Sequence, residues 1–574
     1  MTRKRRLKVV SHFRLSPWLL FLLAAAWELQ GLVPILPVTH AFTDEVRDHI
    51  RSYLSMENGA QVAVLANTSL TSLELLRPFY AQRHSKPAWS PATGPSPQIE
   101  AFLTLLDHAP HEGLKSDDYH THAIRILWKM SRQNPMGTTP GASTTMAALD
   151  LLLSDAFFTY AAHMSRGRQP PAPSHTGGRA VQSPEEQVGM LHRAVHTTSI
   201  VATLSTLRPP HPGYAALRQA LARYRHIATQ GGWPILPDAP MRDQSDGGVS
   251  SILLRFRLQA TGDLVSQPTD SHTRIDEALE AAVRRFQLRH GLEVDGRVGP
   301  ATRTTLQIPI EDRLRQLIRN LDRWRWLPHN LGARYILVNI PAFTLHVVEH
   351  NRPVMTMRVV VGKPSWPTPV LRGLLSSVVL NPTWDIPSSM AQHEIIPRIQ
   401  RDPSYLTTHN IALIQGKGEN ATVIAPNTID WSQAPSPHFP YRLHQQPGPT
   451  NPLGRVKFML ANPFQITLHD TPSRELFAKA MRAKSHGCIR LEKPIALAEY
   501  LLQADPTWTR TTLLDAIARG ESQQVFLPAP IPVYLIYHTT WADADGRVHF
   551  RPDIYGWDTD LSPMPDERQP AACR

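Results

Sequence analysis

Apolar residues recur every three to four positions through most of the first 230 or so residues, which is the spacing of amphipathic helices. Val46, Ile50 and Leu54 form one such stripe, and a longer helix is predicted over residues 214–227. No group of catalytic side chains stands out among these helices. We therefore expect residues 42–245 to form a helical scaffold region.

A second, smaller helical module is predicted over residues 246–308. Its main helix carries one apolar stripe, formed by Ile275, Leu279, Ala282, Val283 and Phe286. This helix should end at Gly291, because glycine readily adopts the left-handed conformation that closes a helix. Turns then lead into a short last helix over residues 301–306, and residues 309–331 are expected to form a helical linker.

From residue 335 the apolar period shortens from about 3.6 to about 2, which indicates β-strands. The first four strands are predicted at 335–340, 343–348, 354–361 and 374–380, and later ones at 456–460, 466–468, 533–537 and 548–550, with a helical stretch over 473–483. We expect a β-rich domain over residues 332–525. Residues 526–560 should add C-terminal strands that pack on it, and residues 561–574 form a polar tail.

Residues 387–452 interrupt this strand pattern with an irregular stretch rich in Pro, His, Gln and Asn. Ordinary connections between strands have about 2–6 residues, so a segment of this length indicates a lid-like insertion that covers substrate. The predicted fold class is therefore multidomain α+β. An α-helical N-terminal region and a small helical module precede a β-rich domain that carries the insertion.

The N-terminus changes the meaning of the charge. The chain has 574 residues and a net charge of +12, which would suit nucleic acid, an anionic membrane or an acidic polymer. Six Lys and Arg residues, however, precede an apolar run at 17–27 that Glu28 ends, which is typical of a secretory signal. The run is shorter than the ~20 residues of a spanning helix, so we expect cleavage after Ala41 and a periplasmic protein. An uncleaved signal that anchors the chain to the inner membrane is the alternative, and export makes nucleic acid an unsuitable partner.

Two cysteines, Cys488 and Cys573, are too few for a four-cysteine zinc site or a disulfide framework. Cys488 follows His486 and Gly487, which favours a nucleophile. A Cys488–Cys573 disulfide is the alternative, disfavoured because Cys573 lies in the polar tail. A metal site built from Cys488, His486 and His469 lacks a carboxylate or second thiol at the usual spacing, so we expect no metal or other cofactor.

Acyl transfer at a cysteine needs a thiolate, a base that generates it, and amide donors for the oxyanion. His469 lies 19 residues before Cys488, at the end of a predicted strand, and is a candidate base. His486 is a second imidazole that the spacing does not exclude, because residues two apart share a face of an extended segment. Gly487 lets the backbone approach a substrate closely.

These residues resemble a known catalytic signature. His469-Asp470 and the run Ser485-His486-Gly487-Cys488-Ile489-Arg490 resemble the motif of the L,D-transpeptidase catalytic domain, a β-rich fold with a catalytic cysteine. Residues 362–363, 368–369 and 381–387 resemble the segments that lead to its active site. The module at 246–308 is similar to the peptidoglycan-binding module of wall-active enzymes. The order of these parts resembles that of the large L,D-transpeptidases of Gram-negative bacteria.

The resemblance implies a cysteine acyltransferase that acts in peptidoglycan synthesis by a ping-pong acyl transfer. Such an enzyme would affect the cell wall and cell shape. Cys488 would attack the carbonyl at the L-centre of diaminopimelate in a tetrapeptide stem and release D-alanine. An amine, usually on a neighbouring stem, would then accept the acyl group and form a 3→3 cross-link. The expected partners are peptidoglycan stem peptides and glycan, and carbapenem-type inhibitors should acylate the enzyme.

Residue roles follow from the same resemblance. His469 would be the general base, oriented by the backbone carbonyl of Asp470. The amides of Gly487 and Cys488 would form the oxyanion hole. The residues assigned to substrate binding are Ser485, His486, Arg490 and Trp384.

Two other functions remain open at this point. An L,D-carboxypeptidase would use the same cysteine and histidine with water as the acceptor, and a non-catalytic wall-binding protein would use neither. The motif disfavours the second of these, and an insertion that excludes water would favour an amine acceptor over water.

Overall fold

The structure is a computed structural model that describes residues 38–55, 68–90, 96–133, 139–168, 182–196, 199–236, 249–265, 276–416, 421–432, 434 and 439–558. The predicted signal, except for its last residues, and the polar tail lie outside this description. Two compact units emerge: one takes the described residues up to Ile99 together with His122–Asp155, and the other takes Glu100–Thr121 and the described residues from Ala156 onward. In the described part of the chain, no helix has the length and apolar character needed to cross a membrane.

Helices dominate the chain before residue 325, as the apolar period predicts. They are α1 Val38–Ser55, α2 Leu73–Gln82, α3 Gln98–Asp107, α4 Thr121–Gln133, α5 Ala142–Arg166, α6 Pro184–His196, α7 Ile200–Ser205, α8 Pro212–Thr229, α9 Val249–Ala260, α10 Glu277–His290, α11 Pro300–Leu306 and α12 Ile310–Trp324. Helix α8 contains the predicted helix at 214–227, and α12 accounts for most of the predicted linker.

A buried carboxylate organises the first unit. Asp150 accepts hydrogen bonds from the Tyr80 hydroxyl at 2.6 Å and from the backbone amides of Ala88 and Trp89, both at 2.8 Å. Burial raises the pKa of Asp150. Because every one of these contacts stays inside the unit, Asp150 reads as a structural residue, in keeping with the predicted scaffold.

The small module also follows the sequence. Helix α10 ends at Gly291, which has a φ of 68°. Within the module, the Gln287 side chain donates to the carboxylate of Asp295 at 2.7 Å and accepts from the amide of Gly296 at 2.8 Å. The residues that carry the module's sequence resemblance therefore stabilise its turn. The contacts that the structure shows for them are ones that specify the fold.

Nine of the strands after residue 333 form one large sheet. Its strands are β1 Arg334–Asn339, β2 Thr344–Glu349, β3 Arg352–Gly362, β4 Leu371–Leu380, β9 Val456–Ala461, β10 Leu468–His469, β11 Ala483–Ser485, β12 Ile489–Leu491 and β13 Gln523–Ile536, between which lie β5 to β8 of the insertion. The order is β11-β3-β12-β10-β9-β4-β13-β1-β2, and β2 also pairs with β3. The sheet thus closes on itself around a core of Val, Ile and Leu side chains. Helices α16 Pro494–Leu502 and α17 Arg510–Arg519 pack against this core.

The described residues of the insertion form helices and strands, which differs from the expectation of an irregular segment. It contains α13 Ser388–Met390, a π-helical turn Ala391–Ile395, α14 Ile396–Arg401 and α15 Tyr405–Thr408. Strands β5 Trp384–Asp385, β6 Ile411–Gln415, β7 Thr422–Ile424 and β8 Tyr441–Gln445 form a separate antiparallel sheet in the order β5-β8-β6-β7. Its own apolar cluster, centred on Ile399, Leu406 and Leu413, stabilises it. Strands of two to five residues are too short for the period of two to stand out in the sequence.

Two further boundaries differ from the sequence prediction. The predicted helix at 473–483 is a single 3₁₀ turn, Arg474–Ala478, and β11 already begins at Ala483. The predicted domain boundary at 525/526 falls inside β13, which pairs with both β4 and β1 in the main sheet. A small hairpin, β14 Thr540–Ala542 with β15 Val548–Phe550, follows β13.

Candidate active site

The site is built where β10 and β12 lie side by side. They pair in parallel, with Leu468 opposite Ile489 and His469 opposite Arg490. Leu468 and Ile489 point into the sheet's core. Because successive side chains on a strand alternate faces, His469 and Arg490 lie on the opposite face, together with Cys488 two residues before Arg490. The pairing of two short strands therefore brings a residue at 469 and one at 488 onto one face.

Cys488 lies immediately before β12 and is buried, with 2% of its surface exposed. The backbone amide of Thr467 lies 3.4 Å from its Sγ, and the Thr467 hydroxyl lies 3.5 Å from the same atom. Two donors near the sulfur stabilise negative charge that develops there. Thr467 is a site residue that the sequence motif does not reveal, since only the strand pairing brings it to the cysteine.

The structure holds Cys488 in a disulfide. This differs from the expectation of a thiol nucleophile. The sequence contains one other cysteine, Cys573, which lies outside the described residues. Because only the thiolate is nucleophilic, the disulfide state cannot perform acyl transfer, and the predicted chemistry belongs to the reduced state.

His469 is buried and held by its own neighbour. Its Nδ1 lies 2.5 Å from the backbone carbonyl oxygen of Asp470, so Nδ1 carries the proton and donates, which leaves Nε2 with a lone pair. Burial lowers the pKa of His469 to about 3, and the positive charges of Arg490 and Lys457 add to this effect. The imidazole is therefore neutral at physiological pH and able to accept a proton. The contact to the Asp470 carbonyl is the one that the resemblance implies.

The Asp470 carboxylate has separate work. Its Oδ2 accepts a hydrogen bond from the backbone amide of Arg455 at 2.9 Å, and its Oδ1 lies 3.5 Å from the Arg474 guanidinium. These bonds hold the end of β10 against Arg455, the residue that precedes β9. The side chain of Asp470 thus anchors the loop, while its carbonyl orients His469.

A tight turn presents Cys488, and Ser485 holds it. The Ser485 hydroxyl donates to the carbonyl of Cys488 at 2.5 Å and accepts from the amide of Gly487 at 3.1 Å. Gly487 has a φ of 112°, a conformation that only glycine adopts without strain. Ser485 is buried in these contacts, which stabilise the turn. The predicted roles of Ser485 in substrate binding and of the Gly487 amide in an oxyanion hole stay predictions, and in this structure the Gly487 amide donates to the Ser485 hydroxyl.

Residues from two distant segments support the turn from behind. The Thr368 hydroxyl donates to the Gly487 carbonyl at 2.7 Å and accepts from the Gly362 amide at 2.9 Å. The Tyr555 hydroxyl in turn donates to the Gly362 carbonyl at 2.6 Å. Gly362 has no room for a side chain, since a Cβ there would lie 2.1 Å from the Trp366 carbonyl. The segment after β15 thus belongs to the site, which sequence reasoning missed.

His486 points away from these contacts towards the insertion. Its Nε2 lies 2.9 Å from Oε1 of Glu394, in the π-helical turn of the insertion, and 3.3 Å from Nζ of Lys363. Trp366 packs edge-on against the ring, with centroids 5.5 Å apart. Burial lowers the pKa of His486, Glu394 raises it and Lys363 lowers it. Glu394 lies 92 residues before His486, and no motif in the sequence links the two.

Two further predicted substrate residues have different surroundings. Arg490 lies on the catalytic face, partly buried, and its Nε has no hydrogen-bond partner in the described residues. Burial lowers the pKa of this guanidinium, partly offset by Glu475. Trp384 instead lies on β5 and packs against the apolar cluster of the insertion. Arg490 thus presents a guanidinium on this face of the sheet, whereas Trp384 packs within the insertion.

The described residues contain no group of three or more His, Cys, Asp or Glu that could hold a metal ion. A reduced Cys488 would provide a nucleophile, His469 a neutral base, and Arg490 a positive charge on one face of the sheet.

Family models match three parts of the chain. They are described as "Scaffold domain" over residues 74–221, "Putative peptidoglycan binding domain" over residues 251–306 and "L,D-transpeptidase catalytic domain" over residues 333–509. The last range contains the whole motif and the insertion. The expected β-rich catalytic domain and the helical module before it are thereby confirmed.

A protein of Haemophilus influenzae described as "Putative L,D-transpeptidase" is 36% identical over 249 residues, which are 43% of this chain and 49% of that protein. The chain thus spans about half the length of this relative. Among solved structures, the L,D-transpeptidase (residues 123–326) from Xylanimonas cellulosilytica is 16% identical, covers 52% of this chain and 98% of its own, and has a TM-score of 0.17. The Ldtfm-avibactam carbamoyl enzyme is 11% identical, covers 56% and 98%, and has a TM-score of 0.16. These scores are too low to carry an argument about the fold. Residues 333–509, which contain the motif, thus match the L,D-transpeptidase catalytic domain family, and residues 251–306 match the model described as "Putative peptidoglycan binding domain".

Proposed function

We propose that this protein is a peptidoglycan L,D-transpeptidase whose reduced Cys488 forms a thioester with a tetrapeptide stem and transfers the acyl group to an amine. The observation that carries the proposal is the shared face of β10 and β12. It holds Cys488 beside the donors of Thr467 and a buried, neutral His469 whose Nδ1 is committed to the Asp470 carbonyl.

In the first step, the Cys488 sulfur attacks the carbonyl carbon at the L-centre of diaminopimelate. The thiol proton passes to Nε2 of His469, and then to the nitrogen of the departing D-alanine as the peptide C–N bond breaks. In the second step, an amine attacks the thioester, the C–S bond breaks, and the amine's proton returns to the sulfur. The products are D-alanine, a 3→3 cross-link and regenerated thiol.

Two features of the face suit a charged peptide. The oxyanion that forms in each step needs amide donors, and the backbone at Cys488 remains the best candidate, since the Gly487 amide is bonded to Ser485. The diaminopimelate of the stem keeps a free carboxylate at its D-centre, and the Arg490 guanidinium on this face is suited to bind a carboxylate of this kind.

Compartment and targeting follow from the N-terminal sequence. The basic segment and apolar run that precede residue 42 favour export, which would bring the enzyme to the peptidoglycan in the periplasm. The peptidoglycan-binding domain is then in the right compartment to hold the glycan. Because export also exposes thiols to an oxidising environment, the redox state of Cys488 becomes a condition for activity.

Product analysis tests the proposal. The reduced protein is incubated with a disaccharide tetrapeptide, and the products are separated by mass. We expect a cross-linked dimer and D-alanine from the reduced wild type, and neither from Cys488→Ala. Tripeptide without dimer would identify an L,D-carboxypeptidase, and no product from the reduced wild type would refute both enzymatic readings.

A further inference from the structure

The contact between His486 and Glu394 joins two parts of the catalytic domain that the chain keeps apart. His486 belongs to the turn that presents Cys488, whereas Glu394 belongs to the insertion, which has its own sheet and its own apolar cluster. The Nε2 to Oε1 distance is 2.9 Å, which is a charge-assisted hydrogen bond. Because the insertion has its own sheet and apolar cluster, a contact that joins it to the motif is able to control its position relative to Cys488.

We propose that Glu394 is a positioning residue that latches the insertion to His486, and that the latched state excludes water from the acyl-enzyme so that an amine is the acceptor. The inference rests on the proposed function, since it concerns the fate of the thioester. It assigns His486 to docking the insertion and not to binding substrate.

The local geometry fits a latch. Glu394 lies in the π-helical turn Ala391–Ile395, and such turns widen a helix locally and occur often at functional sites. The Glu394 side chain is about one-third exposed and that of His486 less than one-fifth exposed, at 38% and 18%. Solvent therefore reaches the hydrogen bond, so that it can break, while the imidazole is shielded enough for the bond to stabilise the contact.

Lys363 and Glu394 compete for the same atom, Nε2 of His486. A neutral imidazole nitrogen accepts from Lys363 Nζ only when it carries no proton, and donates to Glu394 only when it does. Nε2 lies 2.9 Å from Glu394 and 3.3 Å from Lys363, and the shorter distance favours the tautomer in which Nε2–H donates to Glu394. If the insertion leaves, Lys363 can take over Nε2, which lowers the cost of opening. Arg490 is the other cation near the ring, and it disfavours an imidazolium in either state.

The consequence for chemistry is a choice between two acceptors for the same thioester. Water gives a carboxylic acid by forming a C–O bond, an amine gives an amide by forming a C–N bond, and in both cases the C–S bond breaks and the sulfur recovers a proton. A latched insertion disfavours the small, abundant water molecule. Unlatching should therefore change the ratio of tripeptide to dimer, whereas a general loss of turn structure would lower both products together.

The test compares product ratios in the full-length, reduced protein incubated with the disaccharide tetrapeptide. We expect Glu394→Ala to raise the ratio of tripeptide to dimer roughly fivefold, a change in line with loss of one partly exposed charge-assisted pair. Glu394→Gln keeps a hydrogen-bond acceptor but no charge, and should give a smaller rise. The matched control is His393→Ala: His393 is an exposed neighbour whose ring contacts the Ser389 carbonyl of the same segment, and this variant should keep the wild-type ratio.

The outcomes separate the two proposals. If the wild type makes dimer and both Glu394 variants keep its ratio, the latch is refuted while the transpeptidase remains. If His393→Ala shifts the ratio as much as Glu394→Ala, the effect belongs to the segment in general and the latch is again refuted. Absence of product from the reduced wild type would count against the proposed function itself. Hydrogen exchange of residues 388–401, measured on the same proteins, should rise in Glu394→Ala, and unchanged exchange would also contradict the latch.

Discussion

Replacing His469 tests the buried base most sharply. Burial and two nearby cations lower its pKa from 6.5 to about 3. At about 1.4 kcal/mol per unit, protonating this imidazole in the folded protein costs roughly 5 kcal/mol more than in water. His469 should consequently stay neutral down to about pH 4, and the rate of Cys488 acylation should show no loss from histidine protonation near pH 6.5.

The variant is His469→Gln, whose amide is polar and of similar length but cannot take a proton from the thiol. We expect acylation to fall by about 10²–10⁴-fold, as is usual for loss of a general base. The remaining rate should follow the thiolate concentration and rise with pH. His486→Ala should weaken the rate without changing the shape of the profile, since its ring faces Glu394 in the insertion.

The assay is stopped-flow acylation of the reduced protein across a range of about pH 5 to 9, with intact mass to count adducts. A wild-type rate that falls below pH 6.5, with the fall absent in His469→Gln, would show that His469 titrates in the ordinary range and would refute the buried-base account. A preserved rate in His469→Gln would remove the histidine from the mechanism altogether.

Three further outcomes follow from the structure. Since Cys573 is the only other cysteine in the sequence, activity of the wild type should depend on reductant, whereas Cys573→Ser should be active without it; equal activity of both with and without reductant would contradict this. A carbapenem should add one mass adduct to the reduced protein, and an adduct that persists in Cys488→Ala would sink the assignment. Burial lowers the pKa of both His469 and His538 to about 3, so below pH 6.5 the unfolded chain binds protons that these residues do not bind in the folded chain. The free energy of unfolding should therefore fall between pH 6.5 and 3, by roughly 4 kcal/mol at pH 5 for the two residues together. A denaturation midpoint that does not change from pH 7 to 5 would contradict this prediction.

Much of the fold could be read from the sequence because its strands are long. The predicted strands at 335–340 and 354–361 correspond to Arg334–Asn339 and Arg352–Gly362. These strands are long enough for the alternation of apolar and polar positions to repeat several times. Helix α10 was predictable to its last residue, since Gly291 supplies the positive φ that ends it. The insertion was not, because its strands are too short to display a period.

The site divides in the same way. Cys488 and His469 stand in a motif, so the sequence identifies them. Thr467, Thr368 and Tyr555 do not, because they reach the motif only through strand pairing or through a segment that returns from the C-terminus. Ser485 was assigned to substrate because the motif contains it, yet the structure commits its hydroxyl to both sides of the turn. A motif names the residues that matter, and only the contacts say which of them face the substrate.

The central claim is that reduced Cys488 forms a thioester with a tetrapeptide stem. Intact-mass spectrometry of the reduced protein, quenched with acid within the first turnovers on a disaccharide tetrapeptide, tests it directly. We expect one adduct with the mass of the stem less D-alanine. It should map to the peptide that contains Cys488 and be absent from Cys488→Ala. An adduct on another residue, or product formation by Cys488→Ala at the wild-type rate, would contradict it.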